Sequence, residues 1–282
     1  MVHPFAKVEQ APLRRLRRRL GQIRRFAKTP ARLSKSHGDL HRFRVALKTW
    51  RAQLRLLRAI DPAFPYQEVY RPFKQIFAQA GAIRFWQLQG QVLADTPQAP
   101  EAFVPAYRAF VQHRAAAAAR RLRKAVAASD LPRWRDLKAE LQSAARYGTP
   151  EAVQGYFETL RLQIRARCAG LSRRHREALH DIRKGLKEYA NNRRFATRAW
   201  GFDPGPALPS GPDHTALDDL LGQWHDLDAA CVQLARDLQR QTWEPAARKH
   251  GQELLRVWKK AERMLWDQVL AELPTAPKGS TQ

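Results

Sequence analysis

One nine-residue pattern occurs twice in this chain. Leu40-His41-Arg42-Phe43-Arg44-Val45-Ala46-Leu47-Lys48 returns as Leu179-His180-Asp181-Ile182-Arg183-Lys184-Gly185-Leu186-Lys187, offset by 139 residues in a chain of 282. The shared skeleton is Leu-His-x-apolar-Arg-x-small-Leu-Lys. A weaker echo follows, with Gly81-Ala82-Ile83-Arg84 matching Gly222-Gln223-Trp224-His225. Repetition at about half the chain length points to two similar halves.

Each copy opens a longer row of basic side chains. In the first copy the row is His41, Arg44, Lys48, Arg51, Arg55 and Arg58, with steps of 3, 4, 3, 4 and 3. On a helix these six share one face, along roughly 25 Å at about 1.5 Å rise per residue. Like charges three and four residues apart repel each other, so such a row makes sense where an elongated anion lies along it. The row has apolar neighbours on both flanks. Leu40, Phe43, Leu47, Trp50, Leu54 and Leu57 precede its members, and Val45, Ala52 and Leu56 lie on the other side. An ordinary surface helix sets its charges opposite a single apolar stripe. Double flanking suggests a basic row facing a groove between packed helices. The second row runs Arg173, Arg176, His180, Arg183, Lys187, Asn191, Arg194 and Arg198.

Nearly the whole chain reads as helix. Leu13, Leu16, Leu20 and Ile23 step 3, 4, 3 in a first helix near 6–28. Further helices are expected near 38–59, 67–94, 102–128, 132–147, 151–170, 172–198, 213–240 and 244–272, with Pro and Gly at the stops. No run of alternating β-branched residues argues for a strand. This gives residues 1–130 as a first half of four long helices, 131–149 as a connecting helix, 150–273 as a second four-helix half and 274–282 as a loose tail. Trp50, Trp86, Trp224, Trp258 and Trp266 are in phase with Leu and read as core.

Composition narrows the function. Lys and Arg total 51 against 26 Asp and Glu, a net charge of +25. Residues 1–60 carry 17 basic and 2 acidic side chains. Residues 161–198 carry 12 and 3, whereas 213–240 hold six Asp against Arg236 and Arg240. Such asymmetry implies a polyanionic partner, and Arg, which outnumbers Lys, contacts phosphate through a planar fork. Hydrophobic content of 44% is too high for a disordered basic tail. Cys168 and Cys231 have no metal-ligand or CxxC spacing and read as reduced thiols in a cytoplasmic protein. No apolar stretch approaches the length of a membrane span, and the start lacks a signal core. There is no Walker loop, HExxH or GxSxG, so the chain reads as a binding protein, with no catalytic residues, no cofactor and no metal.

The two His-x-x-Arg-x-x-x-Lys rows, together with Leu221-Gly222-Gln223-Trp224-His225-Asp226-Leu227-Asp228, resemble the CHAD domains, the conserved histidine α-helical domains. The resemblance covers nearly the whole chain. It implies an all-α fold of two four-helix bundles related by pseudo-two-fold symmetry, with a central basic channel. It also implies binding of inorganic polyphosphate, often at intracellular granules. Carried over residue by residue, the phosphate-facing positions are His41, Arg44, Lys48 and Arg51, then His180, Arg183 and Lys187. Arg55, Arg58 and Arg194 extend these faces by geometry, and Arg14 and Arg18 are added from the first helix. Asp226 and Asp228 stand as braces behind the basic side chains.

The sequence departs from the family in two places. Arg84-Phe85-Trp86-Gln87 stands where the second half has His225-Asp226-Leu227-Asp228, so the acidic pair is missing from the first half. Glu188 and Ala190 occupy positions in the second row that are usually basic, which implies weaker anion contact there. Three roles are open to His41 and His180: a structural group, a phosphate ligand or an acid/base. Asp218, Asp219, Asp226 and Asp228 on one helix also admit a metal site. Binding to RNA is the main alternative to polyphosphate, and weak nucleic-acid binding is compatible with it. A metal-dependent phosphohydrolase is a third reading.

Overall fold

A computed structural model describes residues 4–97, 99–169, 171, 176–208 and 214–273. Among these there are ten helices and no strand: α1 (Pro4–Ala27), α2 (Pro30–Lys35), α3 (His37–Ile60), α4 (Tyr66–Ala94), α5 (Val104–Ala127), α6 (Trp134–Arg146), α7 (Pro150–Ala169), α8 (Arg176–Trp200), α9 (His214–Arg240) and α10 (Pro245–Glu272). The all-α expectation holds. The helix missing from the sequence reading is α2, six residues that restart at Thr29-Pro30 directly after α1. The expected loose tail and Arg173 lie outside the described residues.

Local chemistry sets the limits of α3. The Ser36 hydroxyl accepts from the Asp39 N–H at 3.1 Å, an N-cap. Asp39 in turn binds Arg32 and Arg42, tying α2 to α3. At the other end the Asp61 N–H donates to the Leu57 carbonyl at 2.9 Å, and the Asp61 carboxylate accepts from the Ala63 N–H at 2.9 Å. Pro62 then ends the helix.

Both flanks of the α3 row are buried as the double apolar pattern requires, except Val45, which is 40% exposed. Trp50, Trp224, Trp258, Trp266 and Trp86 all lie in the core. Burying side chains of this size contributes on the order of 2–3 kcal/mol each. Cys231 is buried and Cys168 half-buried, and both are free thiols. No helix among the described residues is long and apolar enough to cross a membrane.

The packing brings the two repeat-bearing helices together. α3 packs on α8, and α4 on α9; α1 lies against α3, α6 and α8. Polar ties fix the α3–α8 crossing. Asn192 is fully buried, and its amide donates to the Ala52 carbonyl at 3.0 Å and to the Tyr156 hydroxyl at 2.6 Å. Tyr156 donates to Glu188 at 3.2 Å, and Arg55 reaches the same carboxylate at 2.7 Å.

Candidate anion-binding site

Six cations converge where α3, α4 and α8 approach α9. Arg44, Lys48 and Arg51 come from α3, Arg84 from α4, and Arg183 and Lys187 from α8. Opposing them are Asp226 and Asp218, the latter paired with Lys187. Six positive and two negative groups leave four charges unbalanced. The cost of this crowding is visible in the titration of its members. Desolvation, followed by Arg44, Arg183, Lys187 and Arg51, pulls the Lys48 ammonium down to about 8. Burial and Arg84 lower Arg44 to about 10. Arg44 Nη1 and Arg183 Nε are buried without a hydrogen-bond partner, and such atoms carry an unrecovered desolvation cost.

The fold supports these side chains locally. Phe77 lies under both Arg44 and Arg51, with guanidinium-to-ring distances of 5.5 and 5.2 Å. Gly81 makes room for Arg44, because a Cβ there would sit 2.9 Å from Nη1. Between α3, α4 and α9 a cleft of about 200 Å³ opens, lined at its polar end by Arg44, Arg84, His225 and Asp226.

The remaining members of the first row are spent differently. His41 is exposed, makes no hydrogen bond among the described residues, and is lowered by desolvation and by Arg84, Lys48 and Arg44. Arg55 is paired with Glu188; burial, the largest single effect, opposes its charge, but Glu188 and Tyr66 together outweigh it and raise the pKa. Arg58 turns back to the Pro62 and Phe64 carbonyls of the α3–α4 loop. Of the six row members, Arg55 and Arg58 are thus bonded to protein acceptors, Arg44, Lys48 and Arg51 gather in the cation cluster, and His41 lies near Arg84, Lys48 and Arg44.

His180 and His41 have unlike surroundings. His180 Nε2 lies 3.1 Å from Asp228, and its Nδ1 lies 2.9 Å from Nδ1 of His225. Asp228 is buried and also ion-paired with Arg176, so its carboxylate accepts. His180 must then carry its proton on Nε2 and accept on Nδ1, which makes His225 the Nδ1–H donor. Desolvation, then Arg183, His180, Lys48 and Lys184, pushes His225 down to about 3 and keeps it neutral. His225 Nε2 is left as an acceptor with no hydrogen bond among the described residues, on a residue that lines the cleft. Both nitrogens of His180 thus bond protein side chains in the ligand-free fold.

The two aspartates expected to brace the basic residues divide. Asp228 binds Arg176 and His180, and Glu262 extends this network to Arg176 and to the Trp224 indole N–H at 2.8 Å. Asp226 makes no hydrogen bond or ion pair among the described residues and faces the cleft, and burial pushes its carboxyl up against the pull of Arg183, Arg84, Lys48 and Lys187. Among the described residues no group of three or more His, Cys, Asp or Glu could hold a metal ion.

On α1 the expected pair and the residues next to it have different surroundings. Arg14 and Arg18 are exposed, whereas Arg15 donates to the Arg198 carbonyl at 2.9 Å and Arg19 is lowered by burial and by Arg194. Arg194 itself bonds Asn191 at 2.9 Å. The sequence reading missed Arg84 as a site residue, although the weak repeat places it opposite His225.

The CHAD domain family model matches residues 14–235. Among solved structures the fold matches the crystal structure of the CHAD domain from the plant Ricinus communis, with a TM-score of 0.67 and 20% sequence identity over 94% of this chain and 90% of that one. No curated protein shows significant similarity to the sequence. The family match extends from α1 to α9 and takes in both basic rows and the aspartate-bearing helix; on that evidence the chain belongs to the CHAD domain family.

Proposed function

We propose that this protein binds inorganic polyphosphate along Arg44, Lys48 and Arg51, with Arg84, Arg183 and Lys187 closing on the anion from the facing helices. The observation that carries this reading is the unbalanced cation cluster with its unpartnered Arg44 and Arg183 nitrogens. Like charges held this close destabilise the free protein, and a phosphate chain relieves each repulsion while filling each empty hydrogen-bond position. The reading is one of binding without catalysis. The ligand path is a basic channel between two pseudo-symmetric halves, 1–130 and 150–273, joined through 131–149. Association with cytoplasmic polyphosphate granules follows from the same affinity, and a tagged protein that stays diffuse in granule-bearing cells would remove that part.

Labelled polyphosphate is titrated at about 150 mM salt and challenged with RNA and with double-stranded DNA. Polyphosphate is expected to win per phosphate, because the Phe77 ring beside the cations is already covered by Arg44 and Arg51. Equal competition by RNA would overturn the assignment. By analogy with nucleic acids, engaging four to five phosphates gives a slope of log K on log salt of about −3.

A further inference from the structure

We propose that the cleft between α3, α4 and α9 receives the end of a phosphate chain rather than a segment from its interior. This rests on the polyphosphate reading above and goes beyond it. Terminal and internal phosphates differ in hydrogen-bond chemistry. An internal phosphate has a single, fully ionised acid group and offers only acceptors. A terminal phosphate has a second ionisation at about pH 6, as in a phosphate monoester, and while it holds that proton it is also a donor.

The cleft presents both complements. Arg44 and Arg84 supply donors, and Arg44 Nη1 is buried with nothing to bond. Asp226 and His225 supply acceptors: a carboxylate with no direct partner among the described residues, and an imidazole whose proton is committed to His180. An internal phosphate set between those acceptors would meet a carboxylate and a bare nitrogen with no proton to share. A protonated terminal phosphate satisfies both walls. The acceptors therefore act chiefly by excluding the wrong part of the chain.

Size and shape agree. About 200 Å³ is below the roughly 300 Å³ at which pockets for drug-sized organic ligands begin, so the site suits one or two phosphate groups. Phe85, Leu88 and Ala229 form an apolar wall, and a polyanion running past it would lose water with no partner in return. Lys48 and Arg51 continue the basic line along α3 from Arg44, so the chain is anchored by its end and laid along α3.

The test compares linear polyphosphate with the same chains after both terminal phosphates are converted to phosphoramidates of a small secondary amine, which leaves neither a P–OH nor an N–H donor at the ends. Uncapped chains are expected to bind the intact protein about tenfold more tightly, one net charge-assisted contact. Asp226→Asn is expected to raise affinity for capped chains and shrink the difference. Equal binding of capped and uncapped chains by the wild type overturns end recognition while the polyphosphate function stands. Binding of neither overturns both.

Discussion

Replacing Lys48 by Met separates stability from binding at one position. Met retains the aliphatic stem and removes the charge. In the free protein burial and, after it, the neighbouring cations hold the Lys48 ammonium at about 8 against a usual 10.5. Taken whole, at about 1.4 kcal/mol for each tenfold change in proton affinity, that is on the order of 3 kcal/mol. Lys48 keeps more than a third of its surface in water, and screening there reduces the effect to about 1 kcal/mol. Lys48→Met should therefore stabilise the ligand-free fold by about 1 kcal/mol at pH 7, a rise in Tm of roughly 2–4 °C. The sign follows from proton counting. Between about pH 8 and 10.5 the folded state binds fewer protons at this site than the unfolded state, so wild-type stability rises with pH through that window. The advantage of the variant is full below pH 8 and fades above it. The same substitution should weaken polyphosphate binding severalfold and reduce the salt slope by about 0.7–0.9. Thermal denaturation at several pH values and a salt titration read both effects. A variant less stable than wild type at pH 7, or one that binds unchanged, would refute the argument that Lys48 is a repelled, ligand-facing cation.

Three further substitutions probe the surroundings. Gly81→Ala places a methyl against Arg44 Nη1, and because a guanidinium can swing aside, the fold should survive while affinity falls about fivefold to tenfold, measured by calorimetry and circular dichroism together. Asp228→Asn leaves Arg176 with Glu262 as its one remaining carboxylate and takes the carboxylate from His180, so unfolding should become easier by about 1–2 kcal/mol, and a Tm within a degree of wild type would contradict the brace. Glu188→Gln releases Arg55 from its ion pair; polyphosphate affinity should rise about twofold to fivefold, and an unchanged affinity would place Arg55 off the ligand path.

What the sequence carried and what it did not separate by the range of the interaction. Helices were readable because Asp61-Pro62, Gly148 and Thr149-Pro150 act locally, and α2 escaped because a single turn after Thr29 leaves no periodicity to detect. The α3 flanks were readable because an apolar stripe records its own burial. Arg55 and Arg58 were not, because their partners are Glu188, 133 residues away, and loop carbonyls that carry no residue signature. On α1 the phase was not legible. A stripe of Leu13, Leu16, Leu20 and Ile23 has two polar shoulders, and only the position of α8 decides that Arg15 and Arg19 form the inner one. His180 looked equivalent to His41 because a repeat preserves residue types and not neighbours; His225 and Asp228 exist on one side only, and Arg84 takes the corresponding place on the other. Arg84 itself was within reach, since the weak repeat had set it opposite His225.

The two native thiols bear on how occupancy of this site is observed. Burial raises Cys231 to about 12, with a further push from Glu262, and burial raises Cys168 to about 11. At neutral pH fewer than about one molecule in a thousand carries a thiolate at either position, and only the thiolate reacts with alkylating probes. A cysteine introduced at Val45, solvent-exposed and next to Arg44 in the chain, would take up a fluorophore while the native pair stayed silent. The chain thus supplies its own background for single-site labelling, and the dye would sit within one residue of the buried guanidinium whose ligand is in question.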